Sequence, residues 1–231
     1  MSSGFPPSGI AAAPTLAGRY RIFHEEREVG EERWRLSPDE GGGVVLTGEQ
    51  VVEPPHPFPH RHEFRATVDA GGRVRGVEIL WTVGGRELRA LHGAEGARWR
   101  VRIEYQGEVR EQQGDYPEFC EVDYATPLFQ AFILARRDFA LGGEHEFPVL
   151  RIGPPWMAVS PETMKLRCVE IGTFDAAHGS VRAKRYVASL PPASEEEGYT
   201  FWADDDGFVL ESYEGLNASR PWMRLVEFQR H

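Results

Sequence analysis

"ARWRVRIEY", residues 97–105, alternates without a break. Ala97, Trp99, Val101, Ile103 and Tyr105 fall on one face, and Arg98, Arg100, Arg102 and Glu104 on the other. Side chains two apart on a strand point the same way, so this is a strand with one covered face and one wet face. The period recurs upstream in "RVRGVEILWTV", 73–83, where Val77, Ile79, Trp81 and Val83 share a face. Gly84-Gly85 then makes a hairpin turn into "RELRALH", 86–92. "RYRIFHEER" and "GEERWRL", which flank Val29-Gly30, read the same way, as does "GGVVLTGEQVV". Downstream follow "EHEFPVLRI", "ETMKLRCVEIGTFD", "SVRAKRYVASL", "YTFWADDDGFVLESYEG" and "WMRLVEFQ". The spacing predicts roughly ten to twelve antiparallel strands, in a barrel or a curved open sheet.

One segment leaves this period. "TPLFQAFILARRDFALGG", 126–143, has Thr126 as an N-cap, Pro127 at the first helical position, and Leu128, Phe129, Phe132 and Ile133 at helical spacing. Arg136 and Arg137 come next, with a glycine pair beyond. An amphipathic helix over about 126–138 is predicted, placed to cap the concave face of the sheet. The predicted fold is therefore mainly β: one curved antiparallel sheet, a half-barrel or incomplete barrel, with one principal helix. Residues 1–17 read as a flexible Pro/Gly/Ser/Ala tail and 18–231 as a single domain.

The 231 residues carry 36 Asp and Glu against 26 Lys and Arg, a net charge of −10. That balance argues against nucleic acid or an anionic membrane as the main partner. No apolar run approaches the roughly 20 residues that span a bilayer. "MSSGFPPSGIAAAPTLAG" lacks the basic and apolar regions of an export signal, so the chain reads as cytoplasmic. Cys120 and Cys168 show no metal-ligand spacing and read as buried thiols.

The histidines are the chemical signal. "HPFPHRHEF", 56–64, carries three, and its prolines place His56 in a rim loop rather than a ladder. Along the strand that follows, His60 and His62 share a face with Phe64, Ala66 and Val68. By the same count His24 lies with Tyr20 and Ile22, His92 with Leu88 and Ala90, and His145 with Phe147 and Val149. Five of the eight histidines thus fall on the more apolar faces. A single inward imidazole is ordinarily hydrogen-bonded core, but several facing one interior predict a cavity with polar spots. His60, His62 and a third histidine such as His92 have the residue types of an open three-histidine metal site, though no carboxylate motif accompanies them. Glu170 shares a face with Met164, Leu166, Cys168 and Phe174, where burial would raise its pKa, unless Arg185 on the adjacent strand pairs with it.

Other chemistry is missing from the pattern. There is no GxSxG or SxxK nucleophile motif. "GGG", 41–43, precedes a strand rather than a helix, so it is no phosphate loop. "ADDDG", 203–207, reads as a hairpin turn rather than a calcium loop. No cofactor is implied. The aromatic inventory favours a binding cavity, with "GPPWMAVSP", 153–161, at its mouth.

"RAKRYVAS…GYTFWADDDGFVLESYEG" resembles uncharacterised bacterial β-proteins related to the LolA/LppX-type lipoprotein carriers. "GRYRIFHEEREVGEERWRL" is similar to their opening hairpin, turning at Val29-Gly30. The layout resembles theirs over residues 18–230, and also that of β-proteins described as glycolipid-binding. The resemblance implies a half-closed barrel whose concave face, capped by helical elements, holds a lipid or other apolar ligand. It carries over no catalytic residue. This chain departs from those carriers in lacking an export signal or lipobox and in its inward histidines.

The function expected is binding or carriage of a hydrophobic or amphipathic small molecule. Phe64, Trp81, Trp99, Phe132 and Trp156 would form the wall, and His60, His62 and His92, joined by His24 and His145, would hold a polar head. The alternative is a β-barrel lyase, cyclase or isomerase using His60, His62 and Glu170, with or without metal. A third reading is an interaction scaffold that binds protein at a sheet edge or aromatic patch.

Overall fold

The computed structural model describes residues 14–154, 156–192, 194, 198–215 and 218–231. The first half of the chain forms β1 (Leu16–His24), β2 (Arg27–Pro38), β3 (Val44–Val52), β4 (His60–Val68), β5 (Val74–Val83), β6 (Arg86–Glu95), β7 (Arg98–Tyr105) and β8 (Glu108–Asp115). Then come β9 (Glu121–Asp123), the helix α1 (Leu128–Ala135) and β10 (Glu144–Gly153). The chain closes with β11 (Ala158–Ala176), β12 (Gly179–Ser189), β13 (Tyr199–Asp204), β14 (Val209–Glu214) and β15 (Met223–Arg230). Leu16 and Ala17, expected in the tail, already belong to β1, and residues 1–13 of that predicted tail lie outside the described residues.

All fifteen strands make one sheet, in the order β8 to β1, then β15 down to β9. Neighbours are antiparallel except β9 and β10, which run parallel across the helix. The edges β8 and β9 do not pair, yet only residues 116–120 separate them. Laid flat, fifteen strands about 4.8 Å apart would set those edges about 65 Å from one another. A short linker reaches only about 20 Å. The sheet must therefore curl, and across the gap the Gln112 side chain takes the place of a neighbouring strand. Its Nε2 donates to Val159 O (2.6 Å), and Val159 N–H donates to its Oε1 (3.1 Å).

The wound sheet buries one face of nearly every strand. Tyr20, Leu46, Ile79, Trp99, Phe129 and Phe201 are among its largest fully enclosed side chains. The helix lies inside the curl, buried from Leu128 to Leu134, so it is enclosed on every side rather than amphipathic as predicted. It is shorter than the predicted 126–138. Pro127 is the capping residue, and Thr126 Oγ1 accepts only a long bond from Leu128 N–H (3.4 Å). At the other end Arg136 and Arg137 leave the helix to pair with buried Glu121.

Two β-bulges alter the predicted faces. The first hairpin turns at Glu25–Glu26, with Glu25 at φ 56°, not at Val29-Gly30, which lie within β2. The extra length is absorbed by a register shift between Ile22 and Phe23. In β11 a shift between Cys168 and Glu170 turns the Glu170 carboxyl outward, where it is exposed and stands 4.0 Å from Arg185. The predicted raised-pKa acid at Glu170 is thus replaced by an ordinary surface ion pair.

Candidate site at the proline-rich end

An antiparallel meander sends alternate connections to opposite ends of the sheet. One end receives the loops 25–26, 53–59, 84–85, 106–107 and 124–127, together with residues 154, 156–157, 190–192, 215 and 218–222. Most of the described prolines fall here, which stiffens the rim.

A cavity of about 640 Å³ opens here. Ile22, Phe23, Val52, Phe58, Trp81 and Trp222 give it aliphatic and aromatic walls, and Gln50, His24, His56 and His60 supply most of its neutral polar surface. Adjoining it is a second cleft of about 990 Å³, with Ala125, Pro154, Glu214 and Trp222 common to both. The second half is polar, lined by Asp123, Tyr124, Gln130, Arg151, Glu162 and Tyr199, among others. A shallow hollow of about 410 Å³ beside Trp81 holds Trp156, half exposed and edge-on to Tyr105 (5.5 Å).

Opposite His62 on the neighbouring strand stands Trp81, whose indole covers both imidazoles of the predicted pair. It stacks on His60 at 4.2 Å and on His62 at 4.8 Å, centroid to centroid. His60 lines the mouth, but both its ring nitrogens are engaged, Nδ1 with Phe58 O (2.8 Å) and Nε2 with Gln50 Oε1 (3.0 Å). His62 lies fully buried beneath it against Tyr124, and neither its ring nitrogens nor the Tyr124 hydroxyl has a partner among the described residues. Burial pushes His62 down to about 3, helped by neighbouring His60, so its ring is neutral at any ordinary pH.

The remaining predicted residues do not converge. His24 reaches the rim, where it meets His56 edge-on at 5.1 Å instead of His60 or His62. His92 is buried elsewhere, beside Trp99, whose indole N–H points to its Nδ1 (3.4 Å). His145 is exposed at the opposite end of the sheet, edge-on to Phe139 at 4.7 Å and bonded to Asp138 O (3.0 Å). Among the described residues no three His, Cys, Asp or Glu side chains come together to hold a metal ion, so His60, His62 and His92 form no such set. Of the predicted wall, Trp81 lines the cavity, whereas Phe64, Trp99 and Phe132 are buried outside it.

Two polar groups escaped the sequence reading. Fully buried Glu32 accepts from Gln50 Nε2 (2.7 Å) and from Thr126 Oγ1 (2.5 Å). Burial, opposed by those two bonds, pushes its carboxyl up to about 7. A hydrogen-bonded chain thus runs Thr126–Glu32–Gln50–His60 from the core to the cavity wall. Because Phe58 O can only accept, His60 Nδ1 must carry a proton. The same distances fit a neutral chain: a protonated Glu32 donates to the Gln50 oxygen, and the Gln50 amide nitrogen donates to His60 Nε2. Burial, which lowers His60 and raises Glu32, favours that neutral form.

The second group joins β9, α1 and β13. Gln130 Nε2 donates to Asp123 Oδ1 (2.9 Å) and meets the Tyr199 hydroxyl at 2.8 Å. Burial pushes Asp123 up to about 6, against the lowering effect of Arg151. Glu32 had a sequence signal, since it shares a face with Trp34 and Leu36 in "GEERWRL". Gln130 had a weaker one, as the single polar residue of an otherwise apolar helix.

No family model and no curated protein matches the chain. Among solved structures it is similar to a β-barrel-like protein of domain of unknown function DUF1849 from Brucella abortus. That match has a TM-score of 0.59 and 9% identity, covering 94% of this chain and 98% of that one. A DUF1089 family protein from Pseudomonas aeruginosa aligns with a TM-score of 0.49 and 16% identity over 94% and 98% of the two chains. The first likeness is one of fold: mainly β, with a single curved sheet and one helix. No helix among the described residues is long and apolar enough to cross a membrane.

Proposed function

We propose that the protein binds an amphipathic small molecule in the cleft at its proline-rich end. The observation that carries this is the junction of the aromatic-walled cavity of about 640 Å³ with the polar cleft of about 990 Å³. Both volumes are of the size that holds small molecules, and an apolar wall with a few placed polar groups is the usual make-up of such sites. Trp81 and Trp222 line the apolar half, so occupancy will register in intrinsic fluorescence.

Titration of the purified protein with dodecyl maltoside, below its micelle concentration, tests the reading. Saturable one-to-one binding is expected. It should weaken about tenfold in Phe58→Asp, a loss of about 1.4 kcal/mol from a rim position too exposed to matter for folding. Failure of the native protein to bind saturably would refute the reading. Acid–base catalysis is the second reading, and the observation favouring it is the Glu32–Gln50–His60 chain rather than Glu170.

A further inference from the structure

The polar half of the cleft sets three carboxylates, Asp123, Glu162 and Glu214, against one guanidinium, Arg151. An amide nitrogen can only donate to a carboxylate, so the bond to Asp123 fixes which end of the Gln130 amide is which. Gln130 is 4% exposed and its Oε1 has no partner among the described residues. Tyr124, 3% exposed on the same wall, likewise has an unpartnered hydroxyl. These are buried groups of a kind that folded proteins rarely leave unpaired.

The charges lean the same way. Across the two halves stand four carboxylates, Glu25, Asp123, Glu162 and Glu214, against two guanidinium groups, Arg151 and Arg220. Arg151 is 3.9 Å from Glu162, and Arg220 is paired with Glu26 beyond the lining. Glu25 and Glu214 take part in no ion pair among the described residues, and Asp123 is held by the Gln130 amide, the Tyr124 backbone N–H and the field of Arg151. The aromatic faces of Trp81 and Trp222 next door suit a cation as well as an alkyl chain.

We infer that the ligand is a cationic amphiphile, with a protonated amine seated among Asp123, Gln130 Oε1 and Glu214 and its chain against Trp81 and Trp222. This rests on the reading of the cleft as an amphiphile site. An ammonium group supplies three donors and one positive charge, which matches the acceptors and the unpaired carboxylates together.

The test compares three twelve-carbon probes at pH 8 and one ionic strength, all below their micelle concentrations: dodecylamine, dodecanoate and dodecyl maltoside. Dodecylamine should bind about tenfold more tightly than either of the others, an advantage of about 1.4 kcal/mol that shrinks as salt is added. Asp123→Asn and Glu214→Gln should each weaken dodecylamine binding more than maltoside binding and so reduce that advantage. Glu214 is exposed, so its variant decides the matter if the buried substitution impairs folding. Equal affinities, or tighter binding of dodecanoate or maltoside, would overturn the amine assignment alone. An amine preference untouched in the folded carboxylate variants would overturn the placement of the head. Binding of none of the three would instead remove the amphiphile reading beneath it.

Discussion

Replacing Glu32 by glutamine should stabilise the protein at pH 8 relative to its effect in acid. A carboxylic acid held at about 7 in the folded chain, against its ordinary 4.5, binds its proton more tightly folded than unfolded. Its contribution is therefore complete below 4.5 and is lost as pH rises through about 7. Between those limits the loss is about 3 kcal/mol, because each pH unit of separation is worth about 1.4. No cation pairs with Glu32 among the described residues, and its other titratable neighbours, Tyr20 and Tyr124, are raised well above their ordinary value and stay protonated.

The Glu32→Gln amide keeps the chain intact. Its carbonyl accepts from Thr126, its NH₂ donates to the Gln50 oxygen, and Gln50 donates to neutral His60. His62 and His92 titrate in the opposite sense, losing stability as pH falls below 6.5, but they are common to both proteins and cancel in the difference. Urea unfolding of both proteins at pH 4.5 and pH 8 measures it. With a slope of about 2 kcal/mol per molar, the gap between midpoints should move by about 1.5 M in the variant's favour on going to pH 8. A gap that is the same at both pH values would show that the carboxyl is not held protonated, and the reasoning from burial would fail.

Other substitutions probe other parts of the same interior. Glu121→Gln leaves Arg136 and Arg137 facing a neutral partner in a site where Glu121 is 2% exposed, and should cost about 3–5 kcal/mol in thermal or urea unfolding at neutral pH. A cost under about 1 kcal/mol would mean the pair is effectively solvated. The thiols of Cys120 and Cys168 are enclosed, and burial lifts Cys120 to about 11. A thiol reagent at pH 8 should label neither in the native protein and both in denaturant, whereas rapid native labelling would contradict the enclosure.

How much of this was legible in the chain depends on what decides each feature. Alternation in segments such as 97–105 is a local consequence of burying one face, and it located strand after strand correctly. Fifteen strands were formed rather than ten to twelve, and two of those missed, β8 and β9, lack the pattern: every residue of β8 is exposed, and every residue of β9 is buried. The bulges were invisible because one unpaired residue changes no composition, yet each resets every face beyond it. That is why Glu170 moved outward. His24 kept its face with Ile22, but it ends β1 at the rim and so meets His56. His145 kept its register opposite Leu166, but it stands near the start of β10, at the far end of the sheet from the cavity. Convergence is a property of the curl, and a linear pattern does not encode which strands meet across it. Gln50 became notable only when strand register set it directly across from Glu32, and Asp123 when the turn after β9 folded Gln130 back onto it.

The ladder between β1 and β15, which sets Leu16 beside Arg230, carries a consequence for how the molecule is made. Every other neighbouring pair of strands is close in sequence, so those ladders can zip locally as the chain emerges. This one joins the first strand to the last, the contact with the greatest loop-closure cost in the sheet. Until β15 is available, β1 and β14 each present an unpaired edge, the kind of surface that seeks strands of other chains. The sheet is a simple meander cut once between β8 and β9 and spliced where its two ends meet. A circular permutant opened in that linker, with its old termini joined, would place every strand in spatial order along the chain.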